Sequence, residues 1–230
     1  MRRYLLLLGM GTALLAANAC SPEPTLALAL VAARNAADTV RELLKQGHAP
    51  DERDPHGLTS LMWAARAGAV DAMAALLDGG ANPDAHDAAN GWTPLLHAIH
   101  KNQAAAVQLL LDRGADPNLA AGLLTPLMMA APDPDPTIVT LLLAHGANPR
   151  ARGVGGSTAL TYAVSGGAMS DVDRPLLGGC RPKTVDALLT HDPTLAVPDT
   201  IAGHNALWWA RFHGCDSVLE RVVKKNDTKG

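Results

Sequence analysis

Apolar and polar positions along this chain return in the same order about every 33 residues. Four strings align: Thr59-Ser60-Leu61-Met62-Trp63-Ala64-Ala65, Thr93-Pro94-Leu95-Leu96-His97-Ala98-Ile99, Thr125-Pro126-Leu127-Met128-Met129-Ala130-Ala131 and Thr158-Ala159-Leu160-Thr161-Tyr162-Ala163-Val164. The Thr-to-Thr spacings are 34, 32 and 33. A weaker fifth copy, Asn205-Ala206-Leu207-Trp208-Trp209-Ala210-Arg211, follows 47 after Thr158. In phase with these run Leu76-Leu77, Leu110-Leu111 and Leu142-Leu143, each leading to Gly-Ala-Asn/Asp-Pro; Leu43-Leu44 with Gly47 opens the series. Each copy predicts two helices. The leading Thr caps a short first helix, and Pro94 or Pro126 sits where its missing N–H costs nothing. The second helix carries an apolar stripe, as in Val107, Leu110 and Leu111. Gly80, Gly114 and Gly146 end it where a left-handed residue is needed. The Asn/Asp-Pro step then turns the chain into the next unit.

These strings resemble the ankyrin repeat, whose period is about 33 residues with a Thr-Pro-Leu-His signature. The likeness runs from about Thr25 to Val223. It implies an all-α solenoid of about six helix-turn-helix units with short turn tips, stabilised by stacking between neighbours. The units fall at about 25–54 (a degenerate cap), 55–87, 88–120, 121–153, 154–199 and 200–224, with a frayed tail at 225–230.

The chain departs from the pattern in four places. The signature His is replaced by Met62, Leu96, Met128, Thr161 and Trp208, so its hydrogen bond is lost and packing must compensate. The fourth unit has a stiff Pro132-Asp133-Pro134-Asp135-Pro136 loop between its helices. The fifth holds an insertion of about 14 residues near 167–182, and Asp192 stands where Gly should end its second helix.

The N-terminus reads differently. Arg2 and Arg3 precede an apolar run from Tyr4 to Ala17, then Ala17-Asn18-Ala19-Cys20. The run is too short to span about 30 Å of hydrocarbon comfortably and reads as a signal peptide over 1–19. The small residues before Cys20 resemble a bacterial lipobox. That resemblance implies a lipid on Cys20, a tether at 20–24 and, with Ser21 next, sorting to the outer membrane on its periplasmic side. The alternative is plain cleavage after Ala19 and a soluble periplasmic protein.

Composition adds exclusions. Of the 230 residues 48% are hydrophobic but only 3% aromatic, which favours close-packed helices over a β-sandwich. Net charge is −3, or −5 without Arg2 and Arg3, so the basic footprint of a nucleic-acid binder is absent. A P-loop, a nucleophile elbow, a His-Glu-x-x-His string and a Cys-x-x-Cys pair are all missing, so no catalytic residue, cofactor or metal is expected. His97 and His100 have metal-compatible spacing, but His97 stands where Trp63 and Met129 do and reads as a packing residue.

Function is therefore expected on the surface. In the ankyrin family the contact positions lie at the turn tips and the exposed end of the first helix. Carried over, they are His56, Leu58, Arg66, Trp92, His100, Lys101, Leu124, Asp133, Ser165, Ile201, His204, Phe212 and His213. Trp92 and Phe212 read as interface anchors, with Trp92 folded back over the stack as the alternative. Trp63, Tyr162, Trp208 and Trp209 are expected between units. By analogy the chain is a non-enzymatic periplasmic binder, monomeric when free. The leading reading is an immunity lipoprotein that neutralises a secreted effector such as a type VI secretion phospholipase. The alternative is a periplasmic ankyrin protein supporting catalase activity, peroxide resistance or haem handling. Beyond Cys20, Cys180 and Cys215 are the remaining thiols. Each precedes the second helix of its unit, and the insertion gives Cys180 freedom to reach Cys215. A disulfide between them is expected in an oxidising compartment, against two unpaired thiols.

Overall fold

The computed structural model describes residues 24–166 and 179–223. The signal segment, Cys20, the 225–230 tail and most of the 167–182 insertion lie outside them. Twelve α-helices make six pairs among the described residues, with two isolated bridges, Arg53 with Thr59 and Ala121 with Leu124, in place of strands. The pairs are α1 Pro24–Ala33 with α2 Ala37–Lys45, α3 Ser60–Ala67 with α4 Val70–Asp78, and α5 Pro94–His100 with α6 Ala104–Asp112. They continue with α7 Pro126–Ala130 and α8 Thr137–Ala144, α9 Ala159–Ser165 and α10 Pro182–His191, and α11 Ile201–Phe212 and α12 Asp216–Val223. First helices pack on first helices in one row and second on second in another, so contacts are between neighbours.

The caps explain where the first helices begin. Thr59, Thr93, Thr125 and Thr158 each accept from the backbone N–H three residues on. The sixth unit differs from the expected start at Asn205. Thr200 is the N-cap, accepting from Gly203 N–H, and α11 begins more than a turn early. The lost signature His is partly replaced. Thr161 Oγ1 accepts from Thr158 N–H at 2.9 Å, closing a reciprocal cap in the fifth unit, and Met62 Sδ lies 3.3 Å from Thr59 N.

The core is a row of Leu, Ala and Met between the layers. Leu61, Met73, Leu76, Leu95, Ile99, Leu110, Leu127 and Leu142 are fully buried. Each such Leu or Ile contributes about 1.5–3 kcal/mol relative to exposure. Val107, Leu110 and Leu111 form the predicted stripe of α6.

The turn tips are tied in series. Asp51 accepts from Asn82 N–H, Asp84 from Asp116 N–H, and Asn118 from Asn148 N–H, each reaching into the next unit. Within each tip Asn82, Asp116 and Asn148 also accept from the N–H two residues on. Asp192 takes this second role, accepting from Thr194 N–H. It therefore stands in for Asn148 rather than for a helix-ending Gly, and the fifth unit skips the Gly-Ala step. The series changes chemistry at Arg150, whose guanidinium reaches Asp192 and Thr194 instead.

Candidate partner-binding face

The first helices present their C-terminal turns along one side of the solenoid, and the tip before each helix projects beside them. In the second unit Asp54 organises this region. Its carboxylate accepts from His56 N–H and Leu58 N–H, both at 2.9 Å, and from Trp63 Nε1–H at 2.9 Å. One unit later Asp87 repeats the device. It accepts from Ala89 N–H and Asn90 N–H, and its other oxygen lies 2.9 Å from His97 Nε2. The ring at the same helix position thus locks the tip in both units, as indole in one and imidazole in the other.

The hydrogen of His97 follows from its neighbours. Arg66 Nη1 lies 3.5 Å from His97 Nδ1, and a guanidinium only donates, so Nδ1 accepts and Nε2 donates to Asp87. Burial pushes the His97 pKa down to about 4, and the Arg66 charge adds to this; the Asp87 carboxylate opposes it without winning. Burial alone would raise the Asp87 carboxyl. The Asn90 N–H, the His97 interaction and the Trp92 N–H outweigh it and hold its pKa below the ordinary carboxylate value. The pair is a neutral imidazole on an ionised carboxylate. Arg66 also lies over the Trp63 ring, 5.9 Å from its centroid.

Trp92 is half-buried, with its ring 5.4 Å from the His97 ring and 5.0 Å from that of His100. It lies back over its own unit. His100 is consequently only 7% exposed, a correction to its expected place on the contact surface. Asp133 is a second correction, at 8% exposed. The Pro132–Pro136 loop is clasped by the next unit: Thr184 Oγ1–H donates to Asp133 O, and Arg181 Nε–H to Pro132 O. A stiff loop held from the neighbouring helix turns its Asp inward. Leu58, Arg66, Lys101, Leu124 and Ser165 are half-buried, while His56, His204 and His213 are exposed.

The sixth unit presents the largest apolar display. Ile201 is 75% exposed, Trp208 56% and Phe212 68%. Trp208 stacks on Phe212 with centroids 5.4 Å apart, and Trp209 stacks on His213 at 5.4 Å. Trp208 was expected between units; the structure leaves it open. It occupies the position of Met62, Leu96, Met128 and Thr161, which the following unit buries. Among the described residues nothing follows α12.

Cys180 and Cys215 are joined by a disulfide with Cα atoms 6.2 Å apart. The two ends of the insertion meet here. Arg181 N–H donates to Ala163 O at 2.8 Å, and a Cβ on Gly166 would lie 1.8 Å from Gly179 O, so only glycine fits. The insertion leaves and re-enters the unit at one point, and the disulfide ties that point to the start of α12.

Sequence reasoning missed Asp54 and Asp87. The signal was present: the two lie 33 apart, and Trp63 and His97 lie 34 apart. An Asp in a turn reads as a turn former until a buried ring N–H is found against it.

Helix pairs in two rows, with tips and first-helix ends on one side, define a helical-repeat scaffold that offers an extended surface. The chain belongs to the ankyrin repeat family: three copies match at residues 28–121 and a further repeat at 123–154, together more than half of its length. Ankyrin repeats are protein-interaction modules. Among relatives, the ankyrin repeat, SAM and basic leucine zipper domain-containing protein 1 of Dasypus novemcinctus is 39% identical over 114 residues, 47% of this chain and 24% of that protein. The Ovis aries protein of that name is 41% identical over 106 residues, 44% of this chain and 22% of its own. The B-cell lymphoma 3 protein homolog of Mus musculus is 44% identical over 66 residues, 29% of this chain and 15% of its own. The chain thus spans less than a quarter of the length of these relatives.

Proposed function

We propose that this chain is a non-enzymatic protein-binding module of the bacterial periplasm, tethered to the outer membrane through a lipid on Cys20. There it acts as an immunity protein that neutralises a secreted effector, of which a type VI secretion phospholipase is the leading example. One observation carries the binding reading: Ile201, Trp208 and Phe212 stand exposed together, and contiguous exposed aromatic groups are the material of interface anchors. The disulfide supports an oxidising compartment. The signal-like segment before Cys20 supports the route to it. A small tethered binder suits one-to-one neutralisation.

Site-specific photocrosslinking in living cells tests the binding reading. A photoreactive residue at Leu58 or at Phe212 is expected to capture one discrete partner, while the same group at Gln108, on a second helix, captures none. No adduct from Leu58 or Phe212, or the same adduct from Gln108, overturns it. Fatty-acid labelling tests the tether. Wild type is expected to incorporate label and Cys20→Ala to lose it; an unlabelled wild type overturns the anchor.

A further inference from the structure

The protein-binding reading leaves open what chemistry the partner presents, and the second and third units supply an answer that rests on that reading. Arg66 lies over the Trp63 ring, with its Nη1 toward His97 Nδ1. Both partners are neutral, because His97 keeps a single hydrogen and spends it on Asp87. A guanidinium has five donors in a planar fork, suited to gripping a carboxylate with two at once. Lys101 follows one unit on, at the repeat position next to that of Arg66.

The carboxylates nearest these rings, and Asp133 in the loop of the next unit, are withdrawn. Asp54, Asp87 and Asp133 are only 5%, 6% and 8% exposed. Asp54 is occupied by two N–H groups and the Trp63 indole, and Asp87 by two N–H groups and the His97 imidazole. Asp133 accepts from Asp135 N–H. An arriving group therefore meets half-exposed cations and ring faces, with the acceptors already engaged. On the second-helix row the exposed carboxylates already face basic side chains, Asp38 with Arg41, Asp78 with Arg113, Asp112 with His145 and Asp186 with Arg221, whereas Arg66 lies on neutral rings.

We propose that the partner docks an acidic segment across α3 and α5, with a carboxylate paired to Arg66 and an adjoining apolar side chain against Trp63 and Trp92. Charge complementarity selects this occupant over a basic or neutral one, because Arg66 rests on neutral rings while the buried Asp54 and Asp87 are already occupied.

Fluorescence anisotropy on the oxidised chain tests this, with a labelled peptide alternating Glu and Leu and matched peptides carrying Gln or Lys in place of Glu. The Glu peptide is expected to bind at least roughly tenfold more tightly than either control and to weaken steeply with salt. Arg66→Gln should weaken it roughly tenfold. Arg113→Gln, at the exposed end of α6, should leave it unchanged, with circular dichroism confirming that both variants are folded. Equal binding of the three peptides, no binding of the Glu peptide, or unchanged binding in Arg66→Gln overturns the proposal. The crosslinking separates this failure from that of the parent reading. A Leu58 adduct that persists at full yield in Arg66→Gln removes the acidic docking and leaves the binding module standing, whereas no adduct in wild type removes the module itself.

Discussion

The third and sixth units are built from the same helix pair, yet they treat their aromatic side chains in opposite ways. In the third, Trp92 lies on His97 and His100, and His97 is bound to a buried Asp87. In the sixth, Trp208 and Phe212 stack on each other in the open. Hydrophobicity does not explain the difference, since Trp and Phe are at least as apolar as His. Place in the array does. An internal first helix is covered on both sides, so a ring on it must satisfy its polar atom or be walled in. The sixth has a neighbour on one side only among the described residues. Exposure in a solenoid is a property of position before it is a property of residue type.

The largest expected break in this comparison comes from the disulfide. It closes a 35-residue separation, for which the chain-entropy model gives about 4 kcal/mol. Cys215→Ser should lower the urea midpoint accordingly, and hydrogen exchange should show α11 and α12 losing protection first while α5 and α6 keep theirs. Uniform loss across all units would show that the terminal units are not separately held.

Asp87→Ala comes next. It strands the His97 Nε2–H and two backbone N–H groups in a buried tip and should cost about 3 kcal/mol in denaturant unfolding. Its counterpart in the sixth unit is Asp199, which pairs with His204 at 3.0 Å where both side chains are exposed. Asp199→Ala should change stability by less than about 0.5 kcal/mol. Equal costs would erase the distinction between the two regions.

Acid sharpens it further. His97 titrates near 4 in the folded chain and near 6.5 when unfolded, so the unfolded state takes up a proton first as pH falls. The stability held by the neutral form is complete above about pH 6.5 and is lost as pH falls toward 4. The expected loss is about 2.5 kcal/mol by pH 4.5. His97→Gln keeps a donor for Asp87 but does not titrate. Its stability should stay flatter over that window, measured as urea midpoint against pH; a matching slope in both proteins would place the titration elsewhere.

A smaller effect on folding is expected at the open end. Trp208→Ser with Phe212→Ser should shift stability by only about 1 kcal/mol, because both rings are more than half exposed and lose mainly their mutual stacking. Capture by a photoreactive group at Ile201 should nevertheless fall sharply. A large loss of stability instead would mean that the aromatic pair holds its own helix.

What could be read from the residues follows from how local each cause is. The Thr caps, the left-handed Gly positions and the Leu stripes act within one turn of helix, and all stand where the repeat places them. The start of α11 was misplaced because the repeat phase pointed to Asn205, while a cap five residues earlier was available in Thr200. The burial of His100 and Asp133 depends on groups outside their own helices: the Trp92 ring for one, the N-terminus of α10 for the other. The 35-residue offset of Cys180 and Cys215 suggested equivalent points on adjacent units. Their approach in space depends on how the insertion's ends close, and that closure turns on Gly166 lying against Gly179.

The tip series has a mechanical consequence. From the first to the fourth unit each junction is crossed by a side-chain carbonyl or carboxylate gripping a backbone N–H, a link that salt barely touches. At the fourth-to-fifth junction that link is replaced by the Arg150 guanidinium on the half-buried Asp192, and the carbonyls of Pro132 and Asp133 are held beside it by Arg181 and Thr184 of the fifth unit. The fifth and sixth units are then welded by the disulfide. Salt should therefore loosen the tip link between units four and five while leaving the two carbonyl clasps beside it in place, so the two units stay joined through the loop even where their tips part.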